Sequence, residues 1–299
     1  MALSYGCRLG VAYFTGSIIY TLTRMNLIDR AIAIAGSSTP IRTRIVRKLL
    51  ARYPIGSLES RVKAGGFERP SYAWCLYYAS LEAKALGHKA MTAIELGVAG
   101  GAGLLLLCKY RDEIERVTGV KITLVGLDAG TGLPASSDPR DLLYCWPAGS
   151  FEMDIPKLQG RLAGRAEVVF GDVAATARDL RISSEAPLAA IFFDLDFYTS
   201  TRDAFILFSK ENLLPRVWCY FDDVSGAPHN AYTDSIGVRA AIKEFNANRS
   251  PLDSHLSQAY TFLFDGQEVW HQQIYLYHRM NHPDYNKCSS DHKHVLSLR

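Results

Sequence analysis

From residue 90 onward, short apolar runs alternate with stretches of helical period. Runs that are apolar throughout are typical of strands buried on both faces, and helices between them indicate βαβ units. The five runs are AIELG, KITLVGLD, AEVVFGD, AAIFFDLD and VWCYFDD. Two later runs, near YTFLFDG and WHQQIYLYHR, predict two further strands. The pattern therefore predicts an α/β protein with a mostly parallel, seven-stranded sheet flanked by helices.

Residues 1–88 show no strand alternation and are predicted to be helical. The segment TRIVRKLLARY places Ile45, Leu49 and Leu50 on one face of a helix, and SYAWCLYYASLEAKALG predicts a second helix. We therefore divide the chain into an N-terminal helical extension, residues 1–88, and a second domain, residues 89–299. The extension is a candidate lid over a substrate site.

The composition favours an enzyme that acts on a small molecule. Of the 299 residues, 48% are hydrophobic and 21% charged, and the formal net charge of +3 is too small to indicate a nucleic-acid partner. Six scattered cysteines without a Cys-x-x-Cys pair predict neither a zinc site nor a disulfide framework, which favours a cytoplasmic protein. The apolar stretch near the N-terminus is shorter than the roughly 20 residues that span a bilayer, so we expect no membrane partner.

Each of the first five predicted strands carries or ends in an acidic residue. Ligands of open parallel sheets bind outside the carboxyl ends of the strands, so these acids are expected at one edge. Residues two positions apart share a face of a strand, which predicts that the two acids after the fourth strand point the same way. Carboxylates this close repel one another unless a cation binds, so the pattern predicts a divalent metal. The acids are Glu95, Asp128, Asp172, the pair Asp194 and Asp196, and the pair Asp222 and Asp223.

The segment ELGVAGGAG is a glycine-rich turn between a strand and a helix, with Gly97, Gly100 and Gly101 as candidate cofactor-binding residues. Such a turn is compatible with nicotinamide, flavin or S-adenosylmethionine. Glu95 at its entrance favours a cofactor that carries an ammonium and a sulfonium. Asp128 is placed to hold two ribose hydroxyls. Asp172 is placed either to accept a hydrogen bond from an adenine amino group or to cap the next helix.

With these residues in view, the chain resembles class I S-adenosylmethionine-dependent methyltransferases, and more narrowly the macrocin-type O-methyltransferases, which act on sugar hydroxyls of antibiotics. The motifs that carry the resemblance are ELGVAGGAG, GLDAGTGLP, WPAGSF, GDVAAT, DLDFYTST and YFDD, over roughly residues 90–245. The resemblance implies a Rossmann-like methyltransferase fold and dependence on a divalent metal. It also implies that Asp194, Asp222 and Asp223 bind the metal and that Asp196 is the general base. Asp194 is in addition a candidate cofactor-binding residue.

The chemistry is consistent with that assignment. An unperturbed Asp, with a pKa of about 3.9, is too weak a base to ionise a sugar hydroxyl alone, and a bound Mg²⁺ ion would assist by lowering the pKa of the hydroxyl. We expect in-line attack of the hydroxyl on the sulfonium methyl group. His229, in the loop after YFDD, is a candidate catalytic residue, with a surface position as the alternative.

Three other functions stay open on the sequence. A nicotinamide-dependent dehydrogenase is one, although it leaves the paired acids after the fourth and fifth strands unexplained. A catechol-type O-methyltransferase also holds two hydroxyls on a metal, and a non-catalytic scaffold would keep the cofactor pocket without turnover. No motif identifies the acceptor, and a homo-oligomer is expected by analogy alone.

Overall fold

The computed structural model describes residues 40–226, 230–259 and 268–287. Its strands are β1 (Ala90–Leu96), β2 (Lys121–Asp128), β3 (Glu167–Phe170), β4 (Leu188–Phe193), β5 (Leu213–Phe221), β6 (Ser254–Gln258) and β7 (Ile274–Arg279). They form one sheet in the order β3-β2-β1-β4-β5-β7-β6. Strands β1 to β5 are parallel, and β7 is antiparallel to both β5 and β6. The predicted Rossmann-like methyltransferase fold is confirmed.

Helices cover both faces of this sheet. They are α1 (Ile41–Arg52), α2 (Leu58–Lys63), α3 (Pro70–Ala85), α4 (Ala102–Thr118), α5 (Ile155–Leu162), α6 (Val173–Asp179), α7 (Tyr198–Ala204), α8 (Gly237–Ala247) and α9 (Val269–Gln272). Neighbouring strand residues point to opposite faces. Phe192 accordingly joins the core beneath α3 and α4, whereas Phe193 joins the core beneath α7 and α8. This two-sided burial explains why the strands are apolar throughout.

The ends of the strands differ slightly from the prediction. Strand β4 ends at Phe193 and β5 ends at Phe221, so the acids that follow lie in turns rather than in strands. Strand β5 also starts earlier than predicted, at Leu213, and its pairing with β4 shifts register between Leu188 and Ala190. Pro215 lies in this irregular stretch, the kind of position at which a sheet tolerates proline.

Part of the predicted N-terminal extension belongs to the main core. Helix α3 packs on β4, β5 and α4, and its Tyr72 and Leu76 have no exposed surface. Burying an apolar side chain of this size contributes about 1.5–3 kcal/mol, so α3 helps to stabilise the sheet. Helix α1 differs, because Ile45 and Leu49 on its predicted apolar face are about half exposed. The domain division at residue 88 stays a prediction.

Three predictions fall wholly or in part on residues outside the described ranges: the helical character of residues 1–39, the strand at 260–266 and the position of His229. Within the described ranges, the chain contains no helix with the length and apolar character that would let it cross a bilayer.

Candidate functional site

The glycine-rich turn after β1 lies directly against the end of β4. Gly97 has a φ of +80°, and a Cβ atom there would lie 1.7 Å from the carbonyl oxygen of Asp194. The backbone N–H of Ala99 in the same turn donates a hydrogen bond of 2.8 Å to Oδ2 of Asp128. The turn therefore connects the ends of β1, β2 and β4, and glycine is required where its backbone meets β4.

The contact of Gly97 with Asp194 predicts a large difference in the free energy of unfolding between two glycine variants. Gly97→Ala should lower the free energy of unfolding by about 2–5 kcal/mol, because it combines a left-handed backbone with a clash against Asp194. Gly100→Ala is the matched control, since a Cβ atom there has no neighbour within 4 Å. Chemical denaturation of both variants would measure the difference. Equal stabilities would contradict the contact.

A cavity of about 470 Å³ opens at the carboxyl edge of the sheet. Its lining includes most of the predicted cofactor-binding residues: Glu95, Gly97, Gly100, Asp128, Asp172 and Asp194. Gly101 is not part of the lining. A Cβ atom at Gly101 would lie 2.1 Å from the side chain of Leu158, so this glycine allows α4 to pack closely against α5.

Glu95 is buried at the inner end of the cavity. Its Oε1 accepts a hydrogen bond of 2.9 Å from the hydroxyl of Tyr72, whereas Oε2 has no hydrogen-bond partner among the described residues. Burial raises the pKa of Glu95 to about 7, against the opposing effect of the Arg69 guanidinium. A buried carboxylate with one free oxygen can accept a positively charged group of a ligand.

The raised pKa predicts a pH-dependent stability. The folded protein holds the Glu95 proton more tightly than the unfolded chain, so the stabilisation by this proton is complete below about pH 4.5 and is lost as the pH rises through about 7. Glu95→Gln mimics the protonated form and should raise the free energy of unfolding at pH 8 by about 3 kcal/mol. The gain should shrink as the pH falls towards 4.5. Thermal unfolding across this range tests it, and a gain independent of pH would contradict it.

Asp128 and Asp172 both accept backbone hydrogen bonds. Asp128 accepts from the N–H groups of Ala99 and Gly130, at 2.8 and 2.6 Å. Asp172 accepts from the N–H groups of Ala174 and Ala175, at 2.9 and 3.4 Å, and is the N-cap of α6. The capping role considered for Asp172 is therefore present. Both residues also line the cavity, so they are placed where a ligand could contact them. Their contacts to ribose and adenine stay predictions.

Three of the predicted acids form a cluster beside the cavity. Each of Asp194, Asp222 and Asp223 offers a carboxylate oxygen, and the three oxygens lie within 4.8 Å of one another. Burial, and then the charge of Asp222, raise the pKa of Asp194, and the same two causes raise the pKa of Asp223 to about 7. The cluster is thus costly to ionise without a cation. The predicted metal ligands lie together, and their binding of an ion stays a prediction.

Asp196 lies next to this cluster but is not part of it. The expectation that Asp194 and Asp196 share a face of a strand is wrong, because β4 ends at Phe193 and Asp196 has a left-handed φ of 58°. Its backbone N–H donates a hydrogen bond of 3.1 Å to Oδ2 of Asp223. Burial, and then the charge of Asp223, raise the pKa of Asp196, which makes its carboxylate a stronger base.

Side chains that the sequence did not indicate support the cluster. Gln273, between α9 and β7, donates a hydrogen bond of 3.3 Å to Oδ1 of Asp222, and the Tyr220 hydroxyl donates to the same oxygen. The hydroxyl of Tyr232 donates a hydrogen bond of 2.8 Å to Oδ1 of Asp223. A tyrosine or a glutamine gives no local signal of such a contact, because its partner is distant in the chain or is set by the fold.

A second missed group comes from the start of α3. The guanidinium of Arg69 lines the cavity, and its Nη1 lies 3.5 Å from Oδ2 of Asp194. The same nitrogen donates a hydrogen bond of 2.9 Å to the hydroxyl of Tyr72, which in turn donates to Glu95. The only local signal is Pro70, which starts a helix and puts Arg69 at its N-cap.

Comparisons with known proteins give structural matches alone. No protein-family model and no curated protein matches the chain. The calicheamicin methyltransferase CalS11 shares 20% identity over 80% of this chain and 91% of its own, with a TM-score of 0.45. The O-methyltransferase TomG from Streptomyces achromogenes shares 16% identity over 79% and 89%, with a TM-score of 0.33. The O-methyltransferase from Bacillus cereus shares 13% identity over 78% and 96%, with a TM-score of 0.36.

Similarity this low neither assigns an activity nor shows membership of the macrocin-type family. The fold is identified by the sheet order of the chain itself.

Proposed function

We propose that the protein is an S-adenosylmethionine-dependent, divalent-metal-dependent O-methyltransferase that acts on a hydroxyl of a small molecule, a sugar or a glycosylated natural product. One observation carries the proposal. One cavity at the carboxyl edge of the sheet is lined by the glycine turn, by Glu95, whose buried Oε2 has no hydrogen-bond partner among the described residues, and by Asp194 and Asp196. The glycine turn and Glu95 suit the cofactor, and Asp194 and Asp196 suit a hydroxyl acceptor.

The residues of the inner cavity fit S-adenosylmethionine. Oε2 of Glu95 lacks a partner and can accept from the ammonium of the cofactor, whereas a pyrophosphate would be repelled by this charge. The cavity is also large enough for a ligand of this class. When bound, the cofactor supplies a methyl group that is activated for attack by the adjacent sulfonium.

The acidic cluster fits a hard divalent cation. Among the described residues, its donors are three carboxylate oxygens, with no histidine or cysteine of the kind that favours zinc, and Mg²⁺ prefers such oxygen ligands. The ion would neutralise the repulsion that raises the pKa of Asp194 and Asp223. When bound, it would lower the pKa of an acceptor hydroxyl.

Asp196 has the role of general base in this proposal. The Asp196 carboxylate would take the proton of the acceptor hydroxyl. The bound cofactor would supply its methyl group to that oxygen and would leave as S-adenosylhomocysteine. Because Asp196 is 7% exposed and its pKa is raised, it can accept this proton with little competition from water.

Calorimetric titration of S-adenosylmethionine and S-adenosylhomocysteine into the full chain tests this proposal. We expect both to bind with one site per chain, with Mg²⁺ present. Absence of binding by both ligands, with Mg²⁺ and with a chelator, would overturn the proposal.

A further inference from the structure

We infer that Arg69 and Glu95 together bind the α-amino-acid group of the cofactor, with the guanidinium of Arg69 taking the α-carboxylate and Oε2 of Glu95 taking the α-ammonium. The inference rests on the proposed function and adds a residue from the N-terminal segment to the cofactor site. It also names the part of the cofactor that Arg69 recognises.

The geometry gives two opposite charges at the spacing of an amino acid. The hydroxyl of Tyr72 accepts a hydrogen bond of 2.9 Å from Nη1 of Arg69 and donates one of 2.9 Å to Oε1 of Glu95. A single hydroxyl therefore separates the guanidinium from the carboxylate. The α-ammonium and α-carboxylate of an amino acid are likewise carried by one carbon atom, so both can be bound at once.

Arg69 has donors left for a ligand. Among the described residues, its Nε and Nη2 donate no hydrogen bond, and its side chain is 15% exposed, into the cavity. The Nη1 to Asp194 distance of 3.5 Å is long for an ion pair, because charge-assisted hydrogen bonds are about 2.7–2.9 Å. Asp194 therefore does not saturate the guanidinium.

The charges of the cavity favour the same assignment. Among the described residues that line the cavity, Arg69 is the only one with a positive side chain, and Glu95, Asp128, Glu152, Asp172, Asp194 and Asp196 are all acidic. A carboxylate that enters this cavity is repelled everywhere except beside Arg69. The N-terminal end of α3, which starts at Pro70, adds a partial positive charge at the same place.

Three ligands separate these contributions by calorimetry. S-adenosylmethionine carries both charged groups, decarboxylated S-adenosylmethionine lacks only the carboxylate, and 5′-methylthioadenosine lacks both. We expect the wild type to bind S-adenosylmethionine about tenfold or more tightly than the decarboxylated form, because a charged hydrogen-bonded pair is lost. In Arg69→Gln, this preference should fall to about twofold or less, with the affinity for 5′-methylthioadenosine unchanged.

Further variants complete the design. Arg69→Lys keeps the charge without the fork of donors and should keep an intermediate preference. Glu95→Gln should weaken binding of S-adenosylmethionine and of its decarboxylated form equally, since both keep the amine. Arg178→Gln, which removes an arginine from an exposed pair with Asp179, is the matched control and should bind all three ligands as the wild type does.

Two results would overturn the inference. The first is a wild type that binds S-adenosylmethionine and its decarboxylated form equally, which needs no variant. The second is an Arg69→Gln variant that weakens both by the same factor, as a purely structural role predicts. If the wild type binds none of the three ligands, the proposed function fails as well, so the two failures are distinguishable.

Discussion

Replacing Asp196 with Asn should reduce methyl transfer by a factor of about 10²–10⁴ and leave cofactor binding unchanged. The carboxylate that takes the hydroxyl proton is lost, whereas the hydrogen bond from the backbone of residue 196 to Asp223 is kept. Asn also tolerates the left-handed φ of 58° at this position better than most residues. The measurement is single-turnover methyl transfer at saturating cofactor, with S-adenosylhomocysteine affinity determined in parallel.

A second variant, Asp196→Ala, is the control for the effect of the backbone conformation at this position. Asp196→Ala also removes the carboxylate, but alanine tolerates the left-handed backbone less well than Asp or Asn, at a cost of about 1 kcal/mol. Both variants should therefore lose turnover alike, and the Ala variant alone should be less stable. Full activity in Asp196→Asn would remove Asp196 from its role as the base.

The second large effect is expected at Asp222. Asp222→Asn should weaken Mg²⁺ binding by about 100-fold or more, because loss of an outer hydrogen-bond partner alone typically costs 10- to 100-fold and this change removes a ligand charge. The amide oxygen can still accept from Tyr220 and Gln273, so the side chain should stay in place. Calorimetric Mg²⁺ titration measures the loss.

The same variant should have the opposite effect without metal. Asp222 raises the pKa of both Asp194 and Asp223, so removing its charge relieves repulsion and should raise the unfolding temperature in the presence of a chelator. Addition of Mg²⁺ should then stabilise the wild type and not the variant. Asp203→Asn, in an exposed pair with Arg202, is the control. Unchanged Mg²⁺ affinity in Asp222→Asn would contradict the metal site.

The fold was largely predictable because buried strands have a strong local signal. The run KITLVGLD coincides with β2, and the apolar character of the other runs follows from helices on both faces of the sheet. The end of β4 was not predictable. The residues DLDF continue the strand pattern in sequence, but β4 ends at Phe193, where the backbone of Asp194 meets Gly97 and Asp196 turns into the left-handed region.

The sequence predicted which acidic residues form the candidate site. It did not predict the side chains that contact those acids. Strand ends in a parallel sheet converge, so the grouping of Asp194, Asp222 and Asp223 follows from topology. The contacts of Arg69 and Gln273 depend on where α3 crosses the sheet edge and on the pairing of β5 with β7. These are long-range features without a local sequence signal.

The most direct test of the proposed function is a crystal structure of the protein grown with S-adenosylhomocysteine and Mn²⁺, with anomalous scattering recorded to locate the metal. We predict one strong anomalous peak in contact with carboxylate oxygens of Asp194, Asp222 and Asp223, and the adenosyl ligand in the cavity beside it with its amino group on Glu95. An adenosyl ligand outside this cavity, or a metal held by other residues, would contradict the account.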